Sequence, residues 1–338
     1  MSSLPSLSPE HARIPIRILG TGAYLPERIV DNAELAQPLG VDHEWIERRT
    51  GLVERRFAHA GEATSDLATA AGAQALAAAG CAPDEIDLVT CATCSPDHAF
   101  PSTAALVAER LGLGSSAAFD LQAGCAGFVY AFVTAAQQVA LGVARKALVI
   151  GADLMSRMVD PSDRDTAILF GDGAGAAVLS RSENGEGILS LDLGSDGARA
   201  SLLSMPAGGS RKPASAETLA RGEHVVHMQG RALYRIAVRH TVDAARRALS
   251  AAGLGPDDID LVVPHQSSRR LITAAAKALG IGLDRFVLNL DRYGNTSSAS
   301  LPIALDEAVR DGRVAPGKRV LLLGFGAGLS WGATLLRT

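Results

Sequence analysis

Cys125, His265 and Asn295 are the residues of this sequence best suited to covalent chemistry. Cys125 lies in Leu121-Gln122-Ala123-Gly124-Cys125-Ala126-Gly127-Phe128, where an apolar strand (117–121) passes through small residues into an apolar helix. That context puts the sulfur at the first turn of a buried helix, where unsatisfied backbone N–H groups favour the thiolate. A free cysteine titrates near ~8.5, and such placement can bring it towards neutrality. A thiolate there can take an acyl group from a thioester at nearly balanced energy, because one thioester replaces another. The acyl group then needs a carbon nucleophile, which a malonyl thioester supplies as it loses carbon dioxide. The enolate oxygen so formed calls for two neutral donors, a role that fits a ring N–H of His265 and the amide of Asn295. Taken singly, each residue also has a plain structural use: a packed core thiol, a hydrogen-bonded strand-end histidine and a helix N-cap.

Whether the three meet depends on the elements that carry them, and the chain repeats those elements once. Pro83-Asp84-Glu85-Ile86-Asp87-Leu88-Val89 returns as Pro256-Asp257-Asp258-Ile259-Asp260-Leu261-Val262. Each copy follows an alanine-rich helix ending at Ala-Ala-Gly, with Gly80 and Gly253 as expected C-caps. Lys146-Ala147-Leu148-Val149-Ile150-Gly151 is echoed by Lys318-Arg319-Val320-Leu321-Leu322-Leu323-Gly324. A repeat this long exceeds the ~20–50-residue periods of solenoids and implies two copies of one α/β domain. The first copy predicts helices over 64–79, 102–111 and 126–141 and strands over 86–91, 117–121 and 147–150. The second predicts helices over 232–252, 269–279 and 298–310 and strands over 259–263, 286–290 and 320–323. Near-continuous apolar strands between amphipathic helices predict mainly parallel sheets covered on both faces.

The expected organisation is a loose Ser- and Pro-rich tail over 1–12, an N-terminal half over 13–185 carrying Cys125, and a C-terminal half over 186–338 carrying His265 and Asn295. The halves would stack in α-β-α-β-α layers about a pseudo-twofold axis. Superposing the copies lays Cys125 on Asn295, in Tyr293-Gly294-Asn295-Thr296-Ser297-Ser298; both residues follow the same strand and open the same helix. The first strand of the second copy ends in Pro264-His265-Gln266. All three side chains are thus aimed at strand ends, where open parallel sheets carry their sites. The Gly324-Phe325-Gly326-Ala327-Gly328 turn, with the backbone N–H of Cys125, could hold the acyl oxygen during transfer.

Of the 338 residues, 47% are hydrophobic, enough for a large aliphatic core. The formal charge of −4 argues against nucleic acid as a partner. No apolar run is long enough to span a bilayer, and the first dozen residues lack the charged and apolar regions of a signal peptide. Four cysteines (Cys81, Cys91, Cys94, Cys125) are too few for a disulfide scaffold, and a cytoplasmic protein is expected. Cys91 and Cys94 have CxxC spacing but lie along or just after an apolar strand with no second pair, so neither a metal nor a redox role is expected there. The glycine-rich runs 171–175 and 324–326 continue into strands rather than helices, which argues against a dinucleotide site.

The Gly124-Cys125-Ala126-Gly127-Phe128 segment has company. Asp163-Arg164 precedes Phe170-Gly171-Asp172-Gly173-Ala174-Gly175, and Pro264-His265-Gln266, Tyr293-Gly294-Asn295-Thr296-Ser297 and Gly326-Ala327-Gly328-Leu329-Ser330-Trp331-Gly332 follow. From about Ile16 to the C-terminus the chain resembles the thiolase-like condensing enzymes, and among them the β-ketoacyl-acyl-carrier-protein synthase III family. The resemblance implies a duplicated thiolase-like fold. It also implies a decarboxylative Claisen condensation of a short acyl-CoA primer, acetyl-CoA foremost, with malonyl-acyl-carrier protein, the opening step of fatty acid synthesis. By that likeness Cys125 carries the acyl primer, His265 and Asn295 promote decarboxylation, and the backbone N–H groups of Cys125 and Ala327 form the oxyanion hole. Trp45, Arg49 and Arg164 match residues that hold coenzyme A. Phe100 matches one that crosses a homodimer interface to line the partner's acyl pocket, and Met228, after the loop 201–227, is assigned to the same pocket. Arg235 and Arg270 match basic positions that dock the acidic carrier protein. Coenzyme A enters as substrate, and the resemblance implies no cofactor or metal.

Two departures stand out. The family usually reads His-Gln-Ala-Asn where this chain has His265-Gln266-Ser267-Ser268, and Ala327 replaces a frequent glycine while keeping its backbone donor. Other readings use the same residues. A papain-like hydrolase also runs Cys, His, Asn with the histidine ~130–150 residues downstream, but the Cys-Gly-Ser-Cys-Trp signature is missing and the repeat would go unexplained. A condensing enzyme or acyltransferase of specialised metabolism would keep all three residues and change the nucleophile. A non-catalytic acyl-binding dimer would have no use for all three.

Overall fold

The computed structural model describes residues 13–338, and the expected tail over 1–12 lies outside the described residues. Two large sheets organise the chain. The first holds Ile16–Tyr24 (β1), Leu88–Ala92 (β2), Ala117–Leu121 (β3), Lys146–Leu154 (β4) and Asp172–Arg181 (β5), in the spatial order β1-β5-β4-β2-β3. The second holds Gly187–Ser195 (β6), Leu261–Pro264 (β7), Arg319–Gly326 (β8) and Ser330–Arg337 (β9), in the order β7-β8-β9-β6.

Six helices cover them. Thr64–Ala79 (α1) and Thr103–Arg110 (α2) pack on the outer face of the first sheet. Gly230–Ala252 (α4) and Arg269–Leu279 (α5) pack on the outer face of the second. Gly127–Ala140 (α3) and Ser300–Arg310 (α6) touch strands of both sheets and form the middle layer. Their apolar faces, with Phe128, Phe132, Leu301 and Leu305, close one continuous core between the sheets. Gly80 and Gly253 end α1 and α4 in the left-handed conformation expected of C-caps.

Two expectations about the sheets need correction. They are mixed rather than mainly parallel: β2–β3, β2–β4 and β7–β8 run parallel, whereas β1–β5, β4–β5, β8–β9 and β9–β6 run antiparallel. In each half a hairpin, β4–β5 or β8–β9, extends the parallel core. The runs 174–179 and 331–336, apolar on both faces, look the same whichever way the strand points. The strand expected over 286–290 is absent; only Phe286 bridges to Val262. There the buried Gln266 side chain stands in for a neighbouring strand, donating to the carbonyls of Pro264 and Val287 at 2.9 and 3.0 Å and accepting from the Asn289 N–H at 3.2 Å.

Close approach of the middle layer needs small residues in the sheet. A Cβ on Gly151 would stand 2.4 Å from the Ser298 carbonyl oxygen. Its absence lets the chain that leads into α6 lie directly on β4.

Candidate active site

One short segment, Asn295 to Ser300, gathers the three predicted side chains. The Ser297 hydroxyl stands 3.5 Å from the Cys125 sulfur, and the Ser297 N–H donates to Asn295 Oδ1 at 2.9 Å. His265 Nδ1 lies 2.6 Å from Ser300 Oγ, which is also 2.9 Å from the Ser297 carbonyl. A thiol from one half of the chain and an imidazole and an amide from the other are therefore tied through Ser297. Cys125, His265 and Asn295 are all buried. The backbone of Asn295 is stitched to the first half as well, through its N–H to Leu169 O at 2.9 Å and its carbonyl to Gly171 N at 3.1 Å.

Ser297 is the one non-glycine residue among those described with a positive φ, +52°. Such a conformation costs about 1–3 kcal/mol and persists where the surroundings over-determine it. A fully buried carboxylate does so here. Asp153, at the end of β4, accepts with Oδ1 from the hydroxyls of Thr93 and Ser95 and from the N–H groups of Cys94 and Ser95, at 2.7–3.1 Å. With Oδ2 it accepts from the Ser298 N–H at 2.9 Å and from the Ser298 hydroxyl. Asp153 thus fastens the loop after β2 to the segment that holds Asn295. The sequence reading missed Asp153, Ser297 and Ser300. Ser297 stands inside the quoted Tyr293–Ser298 motif, and Asp153 is the acid that ends an otherwise apolar strand.

Electrostatics overturn one expectation. Burial pushes the Cys125 thiol up to about 11, against the lowering effect of the Ser297 hydroxyl and with the Asp153 charge adding to the rise. The helix begins at Gly127 with Ala126 as N-cap, so Cys125 precedes the first turn and desolvation wins. Burial likewise pushes His265 down to about 3. Thiol and imidazole are both neutral near pH 7. Ser300 has one proton and two acceptors within reach, and the contact to His265 is the shorter. Donation along it, in place of donation to the Ser297 carbonyl, puts the hydrogen of the neutral ring on Nε2, and the Ser297–Asn295 bond leaves the Asn295 amide hydrogens free. Both groups can then act as donors.

The expected oxyanion donors sit against each other's loops. A Cβ on Gly326 would fall 2.2 Å from Cys125 N, and one on Gly124 (φ +57°) would fall 2.5 Å from Ala327 N. Only glycines permit this contact. Gly326→Ala must displace the Cys125 backbone, and a shift on the order of 1 Å costs roughly 10²-fold. Acylation of Cys125 by a short acyl-CoA, followed by mass spectrometry, is expected to slow by about that factor; an unchanged rate would contradict the packing argument.

The remaining predicted residues fall into three groups. Trp45 and Arg49 share the helix His43–Thr50, with the Arg49 guanidinium 5.2 Å from the Trp45 ring centroid and 2.7 Å from Asp165, the neighbour of exposed Arg164. Phe100 is 87% exposed, while Met228 is half-buried in a two-residue ribbon paired with Leu203. Arg235 and Arg270 are exposed on neighbouring helices, where Arg270 stacks over Tyr234 at 5.7 Å. The departure at 267–268 has a local use: Ser268 caps α5, accepting from the Leu271 N–H at 3.2 Å. Among the described residues no group of three or more His, Cys, Asp or Glu side chains could hold a metal ion, and no helix is long and apolar enough to cross a membrane.

Comparisons with known proteins agree on one family. Residues 119–197 match the sequence model described as 3-oxoacyl-[acyl-carrier-protein] synthase III, and residues 249–338 match its C-terminal counterpart. The chain is 49% identical over 324 residues to the β-ketoacyl-[acyl-carrier-protein] synthase III of Desulfitobacterium hafniense strain Y51, covering 96% of this chain and 98% of that one. It is similar to the crystal structure of the 3-oxoacyl-[acyl-carrier-protein] synthase III from Aquifex aeolicus VF5, with a TM-score of 0.88, 41% identity and coverage of 96% and 100%. The priming β-ketosynthase of the R1128 polyketide biosynthetic pathway gives a TM-score of 0.88, with 38% identity and 97% coverage of both chains.

Proposed function

The chain belongs to the 3-oxoacyl-[acyl-carrier-protein] synthase III family of condensing acyltransferases, and from that premise we propose that it joins a short acyl-CoA primer to malonyl-acyl-carrier protein through an acyl-Cys125 intermediate, opening fatty acid synthesis. The observation that carries this reading is the attachment of Cys125, His265 and Asn295 to the single Ser297–Ser300 turn. The Cys125 sulfur attacks the primer carbonyl, and the oxyanion that forms is held by the backbone N–H groups of Cys125 and Ala327. The tetrahedral adduct collapses with loss of coenzyme A, which leaves as the thiol and takes the proton that Cys125 gave up. Malonyl-acyl-carrier protein then loses carbon dioxide. The enolate oxygen is met by the His265 Nε2–H and the Asn295 amide, and the enolate carbon attacks the acyl thioester, breaking its C–S bond and expelling the Cys125 sulfur as a thiolate that regains its proton from solvent.

Trp45, Arg49 and Arg164 hold coenzyme A at the mouth, Met228 lines the acyl pocket, and exposed Arg235 and Arg270 take the acidic carrier protein. Phe100 belongs to a homodimer. Its exposure and the position of β3 at the edge of its sheet support that role. Sedimentation is expected to give twice the chain mass, with Phe100→Ala weakening self-association; a wild-type monomer at micromolar concentration would contradict it. Four free cysteines fit a reducing cytoplasm.

One assay tests the substrate reading: a panel of acyl-CoA primers, each offered with malonyl-CoA and with malonyl-acyl-carrier protein. Preference for acetyl-CoA with dependence on the carrier protein is expected. Indifference to the carrier protein would instead favour specialised metabolism, the setting of the R1128 relative.

A further inference from the structure

Cys94 has a different neighbour from the one its CxxC spacing suggests. Cys91 is sealed inside β2, while Cys94 lies beyond the strand end and is partly exposed. The hydroxyl of Ser297 stands 3.9 Å from the Cys94 sulfur and 3.5 Å from the Cys125 sulfur. The two sulfurs are therefore no farther apart than those two contacts laid end to end, before any side chain rotates. The backbone explains the meeting. β2 and β3 pair in parallel with Ala92 opposite Leu121, and the Thr93 N–H carries the ladder one step further to Leu121 O at 3.3 Å. The loops bearing Cys94 and Cys125 thus leave the sheet side by side.

We propose that Cys94 is a resolving thiol, and that oxidation of Cys125 by a hydroperoxide ends in a reversible Cys94–Cys125 disulfide. In the first step the deprotonated Cys125 sulfur attacks a peroxide oxygen. The O–O bond breaks, sulfur loses two electrons, and hydroxide leaves and takes up the thiol's proton, giving a sulfenic acid and water (an alcohol, if the peroxide is organic). In the second, the Cys94 sulfur attacks the Cys125 sulfur, the S–O bond breaks, and a second water departs with the Cys94 proton. The S–S bond requires the sulfurs to close to about 2.05 Å, which moves the Ser297 hydroxyl out of the way. Burial holds the Cys125 thiol neutral at rest, so the first step is slow beside that of an exposed thiolate. A dithiol reverses the product, whereas a sulfinic acid formed without Cys94 is lost. The CxxC pair was not expected to be redox-active, and it is not as a pair: the redox partner of Cys94 is the residue four beyond the end of the adjacent strand.

The test needs no turnover, so it stands apart from the proposed reaction. The full chain is treated with graded hydrogen peroxide, its remaining thiols are alkylated, and its peptides are mapped without reduction. The expected result is a crosslink joining the Cys94 and Cys125 peptides, lighter by two hydrogens than the separate pair and returned to free thiols by dithiothreitol. In Cys94→Ala the same dose is expected to leave Cys125 as sulfinic or sulfonic acid, with recovery of its free thiol reduced at least tenfold. Absence of the crosslink in the wild-type chain, or equal recovery of Cys125 in Cys94→Ala, would overturn the assignment. Mapping of the wild-type chain decides the matter even if the variant is unstable.

Discussion

Cys125→Ala is expected to lower condensation by about 10⁴-fold or more, the scale on which removal of a covalent nucleophile is felt. The substitution removes one sulfur from a wall built largely of backbone, so the fold should survive. The Gly326 contact is to Cys125 N and Cα, and alanine keeps both. Incubation with acetyl-CoA should add one acyl mass to the wild-type chain and none to the variant. An adduct on another residue of the variant would remove Cys125 from its role. Because His265 and Asn295 are untouched, carbon dioxide should still be released from malonyl-acyl-carrier protein, now uncoupled from bond formation. The protonation state of the thiol gives a second reading of the same site. Burial raises the thiol to about 11, so its thiolate fraction is small at pH 7 and grows tenfold with each pH unit. Alkylation of Cys125 by iodoacetamide should keep climbing between pH 7 and 10, where an ordinary thiol would level off above ~8.5. A plateau near 8 would mean that the helix terminus, and not desolvation, governs the sulfur.

The duplication, and with it the convergence of Cys125, His265 and Asn295, was legible because both copies keep the same apolar strands and glycine-capped helices. Helix ends came out within two residues for all six helices, most of them bounded by a cap residue or a glycine in the sequence. The segment that does the joining was not legible. Ser297, Ser300 and Asp153 act through hydrogen bonds to residues far away in the chain, and short polar side chains of this kind leave no periodic trace. The direction of β5 and β9 was lost for a related reason: strands buried on both faces read alike whether parallel or antiparallel. The thiol's acidity failed differently. Two residues of displacement from the helix start, Cys125 against Gly127, were enough to let burial decide. Cys125, His265 and Asn295 by themselves spoke for thioester exchange and malonyl decarboxylation; coenzyme A and the carrier protein came only with the match to a family.

His265→Ala and Asn295→Ala should separate the two half-reactions. Each removes one of the two donors proposed to meet the enolate oxygen, an expected loss of about 3–4 kcal/mol or 10²–10³-fold in the decarboxylation step. On the proposed mechanism acylation of Cys125 relies instead on the backbone N–H groups of Cys125 and Ala327, and it should stay within a few-fold of wild type. The neutrality of His265, pushed down to about 3 by burial, means that its contribution is that of a hydrogen-bond donor at every pH between 5 and 9 and not of a titrating acid. The pH profile of decarboxylation should therefore show no break from this imidazole in that range. The Ser300 hydroxyl lies 2.6 Å from Nδ1 and 2.9 Å from the Ser297 carbonyl, so the choice its one proton makes between them couples the tautomer of the ring to the turn that holds Asn295. Ser300→Ala should lower decarboxylation by roughly tenfold or more through the wrong tautomer, with Cys125 acylation again spared. The readout is carbon dioxide release from malonyl-acyl-carrier protein set beside the acyl adduct on Cys125. Equal losses in both assays would show that the imidazole and the amide serve the whole site, and the division of labour between the two halves of the chain would fall.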